Sequence, residues 1–353
     1  MRVLGIESSC DETAAAVVED GKRLLSNVVA TSMDLHAQYG GVVPEIAARS
    51  HIESVIPVVR QALADADCTW DDIDAIAVTY GAGLGGSLLV GVLTARTLAI
   101  LHNKPLYAIN HVEGHVYANF LTETPLPGYA LPTVQPQFPL LALIVSGGHS
   151  QLALFQDHFD YKLLGQTQDD AIGEAFDKVA KILGLPYPGG PSVGKKALEG
   201  NAQAFSLPKA KLTGKYDFSF SGLKTAVLRL AQEQVGKDYS LPSHELPGLL
   251  NEAQKADIAA SFQRVAVETV VDKALTAFAE FQPRSVVIAG GVAASPELRR
   301  QLAERLPIPI AYTDSRLCTD NGAMIATLGC YHAMLGRPTA DPYTLDISPN
   351  LSM

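Results

Sequence analysis

The sequence predicts an α/β protein built from two related lobes. Its 353 residues exceed what one core comfortably holds, because single hydrophobic cores rarely grow beyond about 250–300 residues. Short apolar strands alternate with stretches of helical spacing along the chain. One pattern occurs near the start and again near residue 140: a strand that ends in a small polar turn, followed by two more strands. Two related lobes with a central cleft would follow.

The first lobe is expected to span residues 1–121. It opens with an antiparallel meander, because three short apolar runs are separated by turn signals that include Asp20-Gly21. The predicted elements in order are strands at Val3–Ile6, Ala14–Val18 and Leu24–Val29, a helix at Ala47–Ala64, a strand at Ile73–Thr79, a buried helix at Ser87–Leu101 and a strand at Leu106–Ile109.

Residues 122–138 are predicted to be a connector or an insertion, because they are rich in proline and lack a helical period. The second lobe is expected at residues 139–334, and residues 335–353 form a tail that we expect to pack back on the first lobe. The predicted elements of the second lobe are strands at Leu140–Val145, Gln151–Phe155, Tyr161–Leu164 and Ser285–Ala289, and helices at Gly173–Leu183, Ser192–Gly200, Gly222–Gln234, Asn251–Glu280, near Pro296 and near Asp320.

Composition indicates a folded protein of the cytoplasm. Hydrophobic residues make up 47% and charged residues 18%, unlike the profile of disordered chains. The apolar run Leu88–Leu101 is interrupted by polar residues and is shorter than the roughly 20 residues that span a bilayer. The acidic N-terminus does not match a secretory signal, and the four cysteines form no C-x-x-C pair. We therefore expect no membrane association and reduced thiols.

The net charge of −10 argues against nonspecific coating of nucleic acid. The charge is uneven, however, because Lys178–Arg229 holds nine basic residues against two acidic ones, a balance of +7. A solvated lysine-rich surface explains this segment without any partner.

A histidine pair is the first candidate for chemistry. His111 and His115 are four residues apart just after a predicted strand, so on a helix both rings project from one face and can chelate one ion. Capping or core histidines are the alternative. Glu113 lies between them rather than directly after the first histidine, so the zinc-peptidase pattern H-E-x-x-H is absent.

Asp320 is the best further ligand for such an ion. Two histidines and one carboxylate leave coordination positions open for substrate oxygens, an arrangement associated with iron and similar ions. Asp320 precedes a predicted helix, so a role as a helix cap stays open.

Three glycine turns could form a nucleotide cradle. They are Ser146–Ser150, Tyr187–Pro191 and Gly290-Gly291-Val292, each at a strand end or a helix start. Their backbone amides could approach an anion, although none matches a P-loop or G-x-G-x-x-G. Glu174 and Asp177 share a helical face, where a carboxylate could bind a ribose hydroxyl or simply pair with Lys178 or Lys181.

Seven ordered motifs closely resemble the TsaD family, the bacterial tRNA N6-adenosine threonylcarbamoyltransferases once described as O-sialoglycoprotein endopeptidases (Gcp). The motifs are Gly5–Thr13, Tyr39–Glu45, His111–His115, Val145–His149, Gly173–Lys178, Asp217–Lys224 and Cys318–Met324. The resemblance implies the actin-like ATPase (ASKHA) fold. It also implies transfer of threonylcarbamoyl from threonylcarbamoyl-adenylate to the adenosine 3′ of the anticodon in tRNAs that read codons beginning with A, with release of AMP.

The resemblance also implies site residues and partners. One divalent metal per subunit, Fe²⁺ by preference or Zn²⁺, would be held by His111, His115 and Asp320. Partners would be tRNA, the paralogue TsaB and the ATPase TsaE, with a homodimer left open, and ATP or AMP would share the substrate site. The basic segment would then supply part of the tRNA surface, and reversing the charge of Lys195 and Lys196 should weaken tRNA binding in a salt-sensitive way. Substrate contacts would come from Ile144, Val145, Ser146, Gly147, Gly148, Asp177, Gly190 and Ser295, with Asp11, Glu12, His149, Glu174, Gly290 and Gly291 as further candidates.

Three departures from the family pattern bear on these expectations. Ser295 stands where the family has asparagine, and a hydroxyl cannot replace a paired amide donor and acceptor. Ala82 replaces a usual proline, and the segment 122–138 resembles an insertion. A sugar-kinase-like phosphotransferase, a scaffold with a vestigial nucleotide site and a zinc peptidase are the alternative functions; the predicted metal triad argues against the first two.

Overall fold

The computed structural model describes residues 1–353, except for the side chain of Ala37. The chain divides into two compact units: unit 1 comprises Met1–Pro136 and Ala311–Met353, and unit 2 comprises Gln137–Ile310. Each unit contains one β-sheet with helices packed against it.

Unit 1 is built on a five-stranded sheet with strand order β3-β2-β1-β4-β5. Its strands are β1 (Arg2–Glu7), β2 (Glu12–Glu19), β3 (Arg23–Thr31), β4 (Ala75–Gly81) and β5 (Leu106–Asn110). Its helices are α1 (Met33–Ala37), α2 (Pro44–Asp65), α3 (Gly85–His102), α4 (His111–Tyr117) and α11 (Gly322–Met334).

Both faces of this sheet are covered, which is why its central strands are apolar without alternation. Leu4 and Ile6 of β1 belong to the core cluster formed with α2 and α3. Gly5 points to the other face, where α11 passes so closely that a Cβ atom would lie 2.3 Å from the Ala326 nitrogen. Helix α11 is therefore an integral layer of unit 1.

Unit 2 is built on a four-stranded sheet with strand order β8-β7-β6-β9. Its strands are β6 (Leu140–Val145), β7 (Ser150–Asp157), β8 (Asp160–Gln166) and β9 (Ser285–Ala289). Its helices are α5 (Ile172–Leu183), α6 (Gly189–Ala197), α7 (Ser221–Gln234), α8 (Leu246–Leu249), α9 (Glu252–Phe281) and α10 (Pro296–Arg305).

The two sheets share one topology. In unit 1, β1 pairs antiparallel with β2 and parallel with β4; in unit 2, β6 pairs antiparallel with β7 and parallel with β9. Each sheet thus begins with a three-stranded meander and continues with a parallel strand on the other side of the first strand. The predicted duplication and the α/β fold class are confirmed.

One expected boundary differs from the structure. The second lobe was expected to reach residue 334, but residues 311–334 belong to unit 1 because α11 packs on β1, β2 and β4. Sequence order alone could not reveal this return, since the sheet that α11 covers is formed more than 200 residues earlier. The segment 122–136 also lies in unit 1, where Arg316 stacks on the Tyr129 ring at 3.6 Å.

The tail 335–353 lies in unit 1 and is anchored by Arg96 of α3. The guanidinium group donates hydrogen bonds to the backbone oxygens of Pro342, Tyr343 and Leu345 at 2.6–3.0 Å. Further along, Ser348 N donates to Tyr80 O at 2.7 Å. These contacts bring the chain end beside β4.

Helix α3 is less buried than its composition predicted. Among the described residues it is the one helix long and apolar enough to cross a membrane by length and composition, and only 33% of its residues are buried. One face packs on α2 and β4, whereas Leu89, Leu93 and Ile100 stay exposed. The prediction of a fully buried helix is therefore wrong for its outer face.

Candidate metal centre and glycine cradle

The two histidines lie on a short buried helix at the carboxyl end of β5. Asn110 caps this helix, because its Oδ1 accepts hydrogen bonds from the backbone nitrogens of Val112 at 2.9 Å and Glu113 at 3.3 Å. One helical turn then places His111 and His115 side by side, with ring centroids 4.7 Å apart. Glu113 lies two residues further than His111 and hence on the opposite side of the helix, which excludes it as the base of a zinc-peptidase pair.

Asp320 meets the histidines from the turn before α11. Its Oδ1 lies 3.2 Å from His115 Nε2 and 3.6 Å from His111 Nε2, and one ligand atom from each of the three residues lies within 4.8 Å of the others. Asn321, not Asp320, caps α11, because Asn321 Oδ1 accepts from Met324 N at 3.0 Å. The helix-cap alternative for Asp320 is therefore wrong.

The fully buried carboxylate of Glu7 contacts one histidine of the triad. Glu7 Oε2, at the end of β1, lies 3.2 Å from His111 Nδ1 and accepts from Thr79 Oγ1 at 2.5 Å. Burial opposes the ionisation of Glu7, but the His111 ring and its hydrogen bond hold the Glu7 pKa below its ordinary value. Burial likewise disfavours a charged His111, yet Asp320 and Glu7 raise the pKa of His111 to about 9.

Two observations show that a cation fits this cluster. Within the described residues, both ring nitrogens of His115 are buried and make no hydrogen bond, although Asp320 Oδ1 lies 3.2 Å from Nε2. This arrangement is costly, and a metal ligated by Nε2 would partly relieve it. Negative charge also lies close by: burial is the largest cause of the raised pKa of Glu12, about 10, but the charges of Asp320 and Asp11 raise this pKa further. Nitrogen and carboxylate donors of this kind suit divalent iron or zinc.

In unit 2, two of the three predicted glycine turns, those after β6 and β9, lie together at the carboxyl ends of these strands, and the third leads into α6 beside Asp177. Gly290 has φ +88°, and a Cβ there would lie 2.5 Å from Val145 O; a Cβ on Gly173 would lie 2.6 Å from Ser146 O. The turn after β6 is closed by Ser146 N donating to His149 O at 2.8 Å. Gly147 and Gly148 are exposed, and a Cβ on either would contact no atom within 4 Å. Backbone of this kind leaves room for a ligand.

The acidic candidates of unit 2 behave differently from each other. Asp177 Oδ1 accepts from Gly189 N at 2.6 Å, so its carboxylate lies at the start of α6, next to Gly190, whose absent Cβ also faces open space. Glu174 instead pairs with Lys178 at 2.8 Å, as the structural alternative predicted. Gly291 begins a short 3-10 turn that ends at Ala294.

Ser295 serves as the N-cap of α10. Its Oγ accepts from Leu298 N at 3.4 Å, an arrangement that an asparagine side chain could also provide. The hydroxyl proton remains the only side-chain donor that Ser295 offers to a ligand.

The sequence did not lead us to the buried polar residues that contact the metal triad. Glu7, Ser9 and Thr79 are buried and contact His111 or each other, but none was named as a site residue. A signal was present, since Glu7 ends an otherwise apolar strand and a buried carboxylate requires partners. Locating those partners needed the parallel pairing of β1 with β4 and β5 beside it.

The duplicated topology and the open glycine turns at strand ends are those of the nucleotide-binding actin-like ATPase fold, and the His-His-Asp cluster could hold a metal ion. The family model described as "TsaD: tRNA N6-adenosine threonylcarbamoyltransferase" matches residues 23–327. The chain belongs to this family, and it is therefore a transferase.

Curated relatives match almost the whole chain. A tRNA N6-adenosine threonylcarbamoyltransferase of Thermomicrobium roseum is 51% identical over 343 residues, covering 95% of this chain and 93% of the relative. A protein of the same name from Dehalococcoides mccartyi is 46% identical over 353 residues, covering 100% of this chain and 99% of the relative. The predicted family resemblance is confirmed.

Solved structures with distant similarity include other enzymes. The ROK hexokinase of Thermus thermophilus is 19% identical with a TM-score of 0.45 and covers 95% of this chain and 100% of its own. Component A of the (R)-2-hydroxyglutaryl-CoA dehydratase of Acidaminococcus fermentans is 15% identical with a TM-score of 0.48, covering 95% of this chain and 99% of its own.

Proposed function

We propose that this chain forms t6A in tRNA by using the metal triad of unit 1 and the glycine turns of unit 2. In the reaction, the exocyclic amine of the adenosine 3′ of the anticodon attacks the carbamoyl carbon of threonylcarbamoyl-adenylate. A carbon–nitrogen bond forms, the bond from that carbon to the phosphate oxygen breaks, the amine loses a proton, and AMP leaves. The substrates are tRNAs that read codons beginning with A.

His111, His115 and Asp320 hold one divalent metal in this proposal, with Fe²⁺ favoured and Zn²⁺ the alternative. The clustering of their three ligand atoms within 4.8 Å is the observation that carries the assignment. When bound, such an ion supplies Lewis-acid polarisation of a substrate oxygen. The residues themselves provide fixed positions, since α4 and α11 are both buried in unit 1, and positioning is what an already activated acyl donor chiefly needs.

The nucleotide part of threonylcarbamoyl-adenylate binds to unit 2 in this proposal. Residues 144–148, Asp177, Gly190 and Ser295 supply the contacts, and ATP or AMP binds at the same place. The support is geometric: exposed backbone at Gly147 and Gly148 can approach a phosphate without side-chain obstruction. The carboxylate of Asp177 lies at the start of α6, where it could accept from a ribose hydroxyl.

The partners are tRNA, TsaB and TsaE, in the cytoplasm. Support for a protein partner comes from an apolar stripe on the outer faces of α2 and α3, which consists of Ile52, Ile56, Leu89, Leu93 and Ile100 and is 40–65% exposed. We assign this stripe to TsaB; a homodimer would use the same face.

The basic segment 178–229 contributes less to tRNA binding than its charge suggests. Acidic residues outside the segment neutralise five of its nine cations; the pairs are Lys178 with Asp170 and Glu174, Lys196 with Glu252, Lys209 with Glu268 and Asp272, Lys215 with Glu280, and Lys224 with Asp170. Lys196 is also largely covered. Lys195 is exposed on α6 and is the better candidate for a phosphate contact.

Reconstitution tests the proposed reaction. The full chain with TsaB and TsaE is incubated with threonylcarbamoyl-adenylate and unmodified tRNA, and the nucleosides are then analysed by mass spectrometry. We expect the modified adenosine to form together with AMP. Release of AMP without modified adenosine would indicate hydrolysis of the donor, and no reaction at all would contradict the proposal.

A further inference from the structure

Glu7 lies under the metal triad, and no ligand role is assigned to it. Its side chain is fully buried, and its two oxygens accept from three different segments of unit 1. Oε1 accepts from Ser9 N at 2.5 Å, whereas Oε2 accepts from Thr79 Oγ1 at 2.5 Å and faces His111 Nδ1 at 3.2 Å. The carboxylate therefore ties β1, β4 and α4 together.

These contacts select one tautomer of His111. Both oxygens of Glu7 already accept, from Ser9 N and Thr79 Oγ1, so the carboxylate offers His111 Nδ1 only an acceptor. Ser9 Oγ lies 3.1 Å from the same nitrogen, and its hydroxyl oxygen can accept from it as well. The ring nitrogen that faces these two oxygens therefore carries the proton. With this proton held on Nδ1, the nitrogen that gives up its proton to a metal and offers a lone pair is Nε2. That nitrogen faces Asp320 Oδ1 at 3.6 Å, and a metal ligand needs this lone pair.

His115 has no comparable support. Its Nδ1 is buried and has no hydrogen-bond partner within the described residues. The two histidines of the pair therefore differ: hydrogen bonds at Nδ1 fix the tautomer of His111, whereas Nδ1 of His115 has no such partner in the described part of the chain.

We infer that Glu7 is a positioning residue that holds His111 in the Nδ1-protonated form, so that Nε2 is ready to bind a metal. The inference rests on the metal site proposed above. Carboxylates that accept from the second nitrogen of a metal-binding histidine orient the ring and raise its basicity, and their loss typically weakens metal binding about 10–100-fold.

The test is Glu7→Gln in the full chain, with Co²⁺ as the probe. Glutamine has the same shape, but its amide group must place NH₂ either toward Ser9 N or toward Thr79 and His111. In the first orientation, the NH₂ group faces another hydrogen-bond donor, Ser9 N. In the second, the NH₂ group faces His111 Nδ1, which must then be unprotonated, and the ring proton moves to Nε2, where the metal binds. We expect Co²⁺ affinity to fall about 10–100-fold, measured by calorimetry and by visible absorption of bound Co²⁺.

Thr13→Val is the matched control. Thr13 Oγ1 lies 2.7 Å from Nδ1 of the buried His51, so this variant also removes a buried polar contact to a histidine in unit 1. We expect its Co²⁺ affinity to equal that of the unmodified chain. A folded Glu7→Gln protein whose Co²⁺ affinity stays within about twofold would overturn the inference, although the metal site itself would stand.

A second measurement serves if Glu7→Gln does not fold. Long-range ¹H–¹⁵N correlations of the histidine rings in the Zn²⁺-loaded, unmodified chain report which nitrogen carries the proton. We expect His111 to be protonated at Nδ1, and a proton at Nε2 would overturn the inference. If the unmodified chain binds neither ion, the proposed metal site fails, and the inference fails with it.

Discussion

Of the two candidate sites of this chain, one is built from side chains and the other from exposed backbone. The centre in unit 1 consists of side chains, namely two buried histidines, the partly buried Asp320 and the buried carboxyl groups of Glu7 and Glu12. The cradle in unit 2 consists of exposed backbone at Gly147, Gly148 and Gly190. The metal centre depends on the chemistry of its side chains, whereas the cradle depends on the absence of side chains and on the path of the main chain. Single substitutions should therefore affect the two sites in different ways.

The largest effect is expected from Asp320→Asn. An amide oxygen is a weaker ligand than a carboxylate and leaves the charge of a divalent ion uncompensated, so we expect Co²⁺ binding to be lost. Removing a Lewis acid worth several kcal/mol should lower the rate of t6A formation about 10³-fold. Calorimetry with Co²⁺ and nucleoside mass spectrometry check the two outcomes.

Asp71→Asn is the control for this variant, because it removes an exposed carboxylate from the same unit. It should retain both metal binding and activity. If Asp320→Asn remains fully active, side-chain chemistry in unit 1 does not limit the reaction, and the contrast between the two sites collapses.

A smaller, structural effect is expected from Gly290→Ala in the cradle. The φ angle of +88° is unfavourable for alanine, and its Cβ would lie 2.5 Å from Val145 O. We expect a loss of about 1–3 kcal/mol in the free energy of unfolding and weaker AMP binding, with Co²⁺ affinity unchanged. Denaturant unfolding and calorimetry measure these quantities.

Gly222→Ala is the control, because it makes the same glycine-to-alanine change outside the cradle. Gly222 lies in the first turn of α7, and a Cβ there would contact no atom within 4 Å, so the variant should be neutral or slightly stabilised. Equal AMP affinity in the Gly290 and Gly222 variants would show that the path of the turn after β9 does not shape the cradle.

The same contrast explains which features could be predicted from the sequence. His111 and His115 were predictable because their chemistry and spacing are local, and the repeated strands because alternation of apolar runs and turns is local too. Asp320 was only one option until Asn321 was seen to cap α11. Glu7 with Thr79, and α11 as part of unit 1, depend on pairing between distant segments, which one sequence does not specify.

The smallest effect is expected in the basic segment 178–229 of unit 2, where an exposed lysine can be compared with one whose charge is offset by acidic neighbours. Lys195 is exposed, whereas Lys209 pairs with Glu268 at 2.9 Å and Asp272 at 2.8 Å. If Lys195 contacts a tRNA phosphate, Lys195→Gln should reduce the salt dependence of tRNA binding by about one unit of slope. Lys209→Gln should leave the slope unchanged, because acidic neighbours already offset its charge.

Filter binding across a salt series distinguishes the two variants. If Lys195→Gln and the unmodified chain have equal slopes, the segment 178–229 is a solvated surface without a role in tRNA binding, because acidic residues already pair with most of its other cations.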